Sequence, residues 1–284
     1  MNEPLRIVSA SRRTDLTAWF PEQLSGMLGA ERAEVRGPFG RLTSVDLNPR
    51  RVHTLVLWSK NFEPLLADRF SLRRRVEGYQ NLFFLFTITG LGGGEVEPSV
   101  PSPSQALEQL RALVSLYGPE RVRLRFDPVL FYRKGPGAPL RSNLEFFPTL
   151  LDQACSLGIR AIVFSFAQPY SRGKRRFSKA GMEWVFPSPE EELSTLKTLA
   201  TMAGGRGVTL LSCAQPREGV ENVSSSRCLD GDLFNTLHPQ GLRGPTSKDH
   251  GQRRECLCSQ AVEIGSYAPG CPRPCLYCYG SLKT

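Results

Sequence analysis

Six short apolar runs punctuate the chain: "RIVSAS" near 6–11, "HTLVLWS" near 53–59, "LFFLFTIT" near 82–89, "RVRLRFD" near 121–127, "AIVFSFA" near 161–167 and "VTLLSCA" near 208–214. Their length and their Val, Ile and Phe content predict strands. The stretches between them suit helices. "SQALEQLRALVSLYG" is expected to turn Ala106, Leu110, Leu113 and Leu116 to one helical face, and "SPEEELSTLKTLATMAG" opens with the Ser, Pro and acidic residues of a helix start. Alternating β and α units predict an α/β fold with a parallel sheet and right-handed crossovers. Six units predict a (β/α) barrel, or a partial TIM-like barrel, in preference to an open doubly wound sheet.

Polar residues gather where the predicted strands end. Arg12, Arg13 and Asp15 follow the first, Lys60 and Asn61 the second, and Arg125 and Asp127 close the fourth. Strand carboxyl ends form the active face of a barrel, so Arg12, Arg13, Asp15, Lys60, Arg125 and Asp127 are the candidate catalytic or substrate-binding residues. In "RVRLRFD" the arginines and the aspartate alternate with Val122, Leu124 and Phe126, which turns Arg125 and Asp127 to one side. Buried charges need partners, and either an anionic ligand or a structural ion pair answers that need. The loop "GLGGGE" at 90–95 is a connection whose amides could also meet an anion.

Composition narrows the class. With 284 residues and 40% hydrophobic content the chain suits one large core, and no apolar run approaches a membrane span. The N-terminus shows no secretory pattern, so a cytoplasmic location is expected, where thiols stay reduced. A net charge of +9, spread over "SLRRR", "VRLRF" and "RGKRRFSK", admits a nucleic-acid partner or an anionic small-molecule substrate.

Five of the eight cysteines lie between Cys256 and Cys278, and in a reducing compartment such clustering points to metal. Cys275 and Cys278 would make half a zinc site; Cys271 adds a third thiol. Three thiolates on a 4Fe–4S cluster leave one iron open, which is a catalytic feature. Cys213, Cys228, Cys256 and Cys258 make four, the number for a second 4Fe–4S cluster or a zinc site, with buried thiols as the plain alternative. Cys155 reads as a core residue on a helix, and His250 as a spare ligand beside Cys256.

"CPRPCLYC" resembles the C-x3-C-x2-C motif of the radical S-adenosylmethionine enzymes, including an aromatic residue, Tyr277, before the third cysteine. The resemblance implies that Cys271, Cys275 and Cys278 hold a 4Fe–4S cluster whose open iron chelates S-adenosylmethionine. It implies generation of a 5'-deoxyadenosyl radical with electrons from a flavodoxin or ferredoxin. In those enzymes the triad normally follows the first strand, whereas here that loop reads "SRRTDLTAWF". The chain as a whole is similar to the DUF1848 family, through "SASRRTDL", "LWSKN", "FTITG", "EPSVP", "LRFDPVL", "FSFAQPY", "CLDG" and "KDHGQRRECLCSQAVEIGSYAPGCPRPCLYCYG". Two domains are expected: a barrel-like unit over 1–225, and a Cys-rich segment over 226–284 that covers the carboxyl ends of the strands. The expected function is radical chemistry on a small-molecule or nucleic-acid-derived substrate. The alternative is a nucleic-acid-binding protein with a structural metal, for which Tyr267, Tyr277 and Tyr279 among the cysteines would supply stacking surfaces.

Overall fold

Side chains alternate across a strand, so each apolar run must meet two different environments. The computed structural model describes residues 4–36, 41–217, 219–266 and 270–279. One parallel sheet contains β1 (Arg6–Ala10), β2 (Val52–Ser59), β3 (Leu82–Thr87), β4 (Val122–Val129), β5 (Ala161–Phe166), β6 (Thr209–Ser212), β7 (Val223–Ser225) and β8 (Val262–Glu263). Their order is β7-β6-β5-β4-β3-β2-β1-β8, so consecutive strands are neighbours and the last chain segment pairs with the first. All six expected strands are present. β7 and β8 were not anticipated, because three and two residues carry no readable alternation.

The principal helices are α1 (Pro21–Gly29), α2 (Pro103–Tyr117), α3 (Phe147–Ser156), α4 (Ser171–Lys179), α5 (Pro189–Gly204) and α6 (Gly231–Leu237). The start signal of α5 is realised as a capping box: the Ser188 hydroxyl accepts from the Glu191 amide at 3.2 Å, and the Glu191 carboxylate accepts from the Ser188 amide at 2.7 Å. In α2 the buried stripe is Ala106, Leu107, Leu110, Leu113 and Val114. Leu116, expected on that face, is 50% exposed. Each three-residue step turns about 60° backwards around a helix, so the two such steps from Leu110 carry Leu116 off the stripe.

One face of the sheet presents Val8, Leu55, Leu57, Phe84, Phe86, Leu124, Phe126, Ile162 and Phe164 to Leu24 of α1, Leu110 of α2, Leu150 of α3 and Leu196 of α5. The opposite face, through Ile7, Val56, Phe83, Leu85 and Val163, packs on Cys228, Leu229, Phe234 and Cys258. Helices therefore cover one face, while the chain that follows β7, with α6 in it, fills the other. A third core, around Val96, Leu130, Phe177, Met182 and Trp184, receives Leu276 and Tyr277 from the chain end. It is flanked by a small antiparallel sheet of Phe131–Arg133, Arg141–Ser142 and Glu183–Val185. No described helix is long and apolar enough to cross a membrane.

Candidate functional site

β4 ends in the residues singled out by alternation. Arg125, 7% exposed, donates one guanidinium nitrogen to Asp127 and another to the Cys228 sulfur, and it lies 5.1 Å over the Trp58 ring. Asp127 also accepts from the Ser165 hydroxyl of β5. Burial alone would lower the Arg125 pKa. Cys228 and Asp127 outweigh it and raise the value, so the guanidinium stays charged.

At the end of β2, the Lys60 ammonium pairs with Glu97 Oε1 at 2.9 Å. Glu97 is 1% exposed, and the Tyr277 hydroxyl donates to the same oxygen, while Glu97 Oε2 is buried with no hydrogen-bond partner among the described residues. Burial pulls Lys60 down, and Glu97 and Cys275 more than restore it, so its pKa is raised. The glycine-rich loop delivers Glu97. The Gly93 amide donates to the Glu97 carbonyl at 3.1 Å, and a Cβ on Gly92 would lie 1.9 Å from the Pro101 carbonyl oxygen.

The triad loop packs against this pair. The Cys278 amide donates to the Cys275 carbonyl at 3.1 Å in a tight turn, and the Leu276 amide donates to the Val96 carbonyl at 3.0 Å. Arg176 of α4 donates to the carbonyls of Cys275 and Cys278. Gly173 lets α4 approach, since a Cβ there would sit 2.4 Å from Trp184 and 3.2 Å from the Tyr277 carbonyl oxygen. Burial pushes the Cys271 thiol up to about 11 and raises Cys275 further. Burial likewise raises the Tyr277 phenol.

The loop after β1 ties these parts to the chain end. Arg12 donates Nε to Glu263 at 3.0 Å and a terminal nitrogen to Asp249 at 3.4 Å, and Arg13 donates to the Gly265 carbonyl at 3.3 Å. Asp15 caps the short helix Leu16–Trp19, accepting from the Ala18 amide at 2.9 Å, from the Ser59 hydroxyl at 2.8 Å and from the Lys60 amide at 2.9 Å. Burial drives Asp15 up to about 6 despite those donors.

All six charged candidates thus meet ordered partners. Asp15, Lys60 and the triad form one group, Arg125, Asp127 and Cys228 a second, and Arg12 and Arg13 bind the segment around β8. Cys213, Cys228, Cys256 and Cys258 pack with the interior core. Among the described residues, no group of three or more His, Cys, Asp or Glu side chains is drawn round a metal-sized point. His250 is exposed, and Tyr267 lies outside the described residues.

Sequence reasoning missed Glu97, the buried end of the Lys60 pair. Its signal was "GLGGGE" followed by "EPSVP", a close-approach loop leading to an acid. It also missed that His53 and His238 meet, with ring centroids 4.7 Å apart.

Solved structures of similar shape include D-hydantoinase from Bacillus sp. AR9, at 14% identity and a TM-score of 0.34, covering 78% of this chain and 45% of that one. They also include dihydropyrimidinase from Brevibacillus agri NCHU1002, at 12% identity and a TM-score of 0.36, covering 92% of this chain and 63% of that one. The chain thus spans less than two thirds of either protein, and likeness at this level has no bearing on activity. A search of curated proteins finds no match. Residues 7–280 match the family model described as a domain of unknown function, DUF1848, and the chain belongs to that family.

Proposed function

We propose that this protein is an iron–sulfur enzyme of the radical S-adenosylmethionine type, with Cys271, Cys275 and Cys278 as the three ligands of a 4Fe–4S cluster. The observation that carries the reading is the setting of the triad: a three-thiol loop held against a buried Lys60–Glu97–Tyr277 group in which Glu97 Oε2 has no partner among the described residues. A buried carboxylate oxygen of this kind calls for a donor, and an amino group on a bound ligand is one. The donor set also fits the group, because three thiols from one short loop suit a cluster that keeps one iron for a non-protein ligand. When bound, the cluster supplies the electron that cleaves the sulfonium of S-adenosylmethionine.

The chain's own residues supply binding and enclosure. Lys60 fixes Glu97 and places positive charge beside Cys275, which favours its thiolate. Arg176 and α4 hold the loop through its carbonyls and not through the thiols. The sequential strand order, with helices on one face, supports curvature of the sheet into a (β/α) barrel whose strand ends the Cys-rich segment covers. Arg125 and Asp127 then border the substrate space, and an anionic substrate suits the arginines. A flavodoxin or ferredoxin is the proposed electron donor.

Anaerobic reconstitution with iron and sulfide, followed by reduction, tests the reading. A reduced-cluster EPR signal that changes when S-adenosylmethionine is added, and that is lost in the Cys271→Ala/Cys275→Ala/Cys278→Ala variant, is expected. Folded wild-type protein that takes up no iron or sulfide would overturn it.

A further inference from the structure

The reading above leaves five cysteines unused, Cys155 on α3 and four that meet in one core. Cys213 follows β6, Cys228 follows β7, and Cys256 and Cys258 precede β8, yet all four belong to the interior core beneath Ile7, Val56, Phe83 and Leu85. The Cys213 and Cys228 sulfurs are 3.7 Å apart, and Cys228 and Cys258 share one core against which Cys213 and Cys256 pack. Free thiols buried singly behave as small apolar residues and need no polar company. These have it: Arg125 donates to the Cys228 sulfur, and the Leu229 amide donates to the Cys258 sulfur at 3.4 Å. A neutral thiol is a weak acceptor, whereas donors aimed at sulfur are the usual outer partners of metal-bound thiolates.

The spacing chooses between metals. Four thiolates at about 2.3 Å from a tetrahedral zinc ion stand about 3.8 Å from one another, close to the Cys213–Cys228 separation, whereas the ligands of a 4Fe–4S cluster are spread over separate irons. We propose that Cys213, Cys228, Cys256 and Cys258 form a structural four-thiolate zinc site, which fastens the chain between β7 and β8 to the inner face of the sheet. The four thiols do not yet converge on one point in the structure, and gathering them on the ion requires rotation of the half-buried Cys213 and Cys256 side chains. With four protein ligands the site has no open position, so its role is to hold, and Arg125 offsets part of the charge of the four thiolates.

The test uses the full chain carrying Cys271→Ala/Cys275→Ala/Cys278→Ala, so that failure of the iron–sulfur reading cannot affect it. After treatment with a chelator, this variant is titrated with cobalt(II) and then with zinc. The expected result is one equivalent of cobalt with the charge-transfer and d–d bands of tetrahedral thiolate ligation, displaced by one equivalent of zinc, with a rise in thermal midpoint. Adding Cys256→Ser, a change at the half-buried end, should weaken cobalt binding by more than about a hundredfold, since loss of an outer partner alone costs 10–100-fold. Folded variant that binds neither ion, cobalt bands unchanged by Cys256→Ser, or uptake of iron and sulfide in place of zinc would each overturn the zinc assignment.

Discussion

The two groups of cysteines occupy opposite kinds of ground. Cys228 and Cys258 are 2% and 3% exposed and share a core with strand residues from the centre of the sheet. Cys271, Cys275 and Cys278 are half-buried, on a loop held largely through its backbone: Leu276 on Val96, and the carbonyls of Cys275 and Cys278 on Arg176. The same residue type is therefore enclosed by core side chains in one region and carried on a half-buried loop in the other. A loop fixed by its main chain leaves its side chains available, while a core fixed by side chains spends them.

If that contrast holds, truncation beneath the four-cysteine group should cost far more than truncation behind the triad. Phe234, fully buried with its ring 4.9 Å from Phe83, is the floor of the interior core. Phe234→Ala should lower unfolding free energy by about 3–5 kcal/mol. Leu276→Ala removes a half-buried side chain, keeps the hydrogen bond from its backbone N–H to the Val96 carbonyl, and should cost less than about 2 kcal/mol. Urea unfolding with an unchanged denaturant slope measures both. Equal losses would mean that the triad loop is as much a part of the core as the four-cysteine group.

Arg125→Met sharpens the comparison on its polar side. It leaves Asp127 and Cys228 without their shared cation in a nearly closed space, and removing one partner of such a pair should cost about 3 kcal/mol. Adding Asp127→Asn to the variant should recover part of that loss. Binding of S-adenosylmethionine measured alongside stability separates the two roles read from the sequence. Lost stability with unchanged binding would make Arg125 structural only, and weakened binding in folded protein would place it at the pocket.

The six longer strands of the sheet were legible because each is an apolar run of four to eight residues, as strands buried on both faces are. β7 and β8 were not, because their existence depends on partners, Leu210 to Ser212 for one and Val8 and Ser9 for the other. The triad was legible from spacing alone, but its setting was not. Glu97 arrives from a loop without period, and Arg176 comes from α4, whose basic residues were read only as part of the spread-out positive charge. Arg125 and Asp127 were legible as a pair from alternation, while the Cys228 that completes them lies in a segment of no regular structure. What escapes the sequence is whatever depends on which loops meet.

Tyr277→Phe probes the triad side at smaller scale. It removes one of the two donors to Glu97 Oε1 and leaves Lys60 in place, so a loss of about 1 kcal/mol is expected. A cost much above that would mean that the phenol, and not the ammonium, holds Glu97. The cluster's EPR response to S-adenosylmethionine in the same variant reports whether Glu97 has moved.

The smallest expected effect is a pH dependence of opposite sign in the two regions. Beneath α6, His53 is hydrogen-bonded to Thr54 at 2.8 Å and to the Leu242 carbonyl at 3.0 Å, and its ring meets the tilted ring of His238 beside Arg121. Burial lowers the pKa of both rings; Leu242 opposes this for His53, and the His53 and Arg121 charges deepen it for His238. The folded state thus keeps the pair neutral while the unfolded chain protonates near its ordinary value of 6.5. The unfolded state then binds more protons, so stability is complete well above 6.5 and falls as pH drops through that value toward the lower folded pKa. At pH 6.5 itself the pair should cost less than about 0.8 kcal/mol, the limit set by half-protonation of two rings in the unfolded chain. Asp15, raised to about 6, works the other way, since below that pH the folded state holds the extra proton and gains. Thermal midpoints from pH 8 to 5.5 in Asp15→Asn protein should therefore fall more steeply than in wild type, and adding His238→Gln should flatten the fall. An acid slope untouched by His238→Gln would show that this ring protonates alike in the folded and unfolded chain, so that burial among the interior core does not hold it neutral.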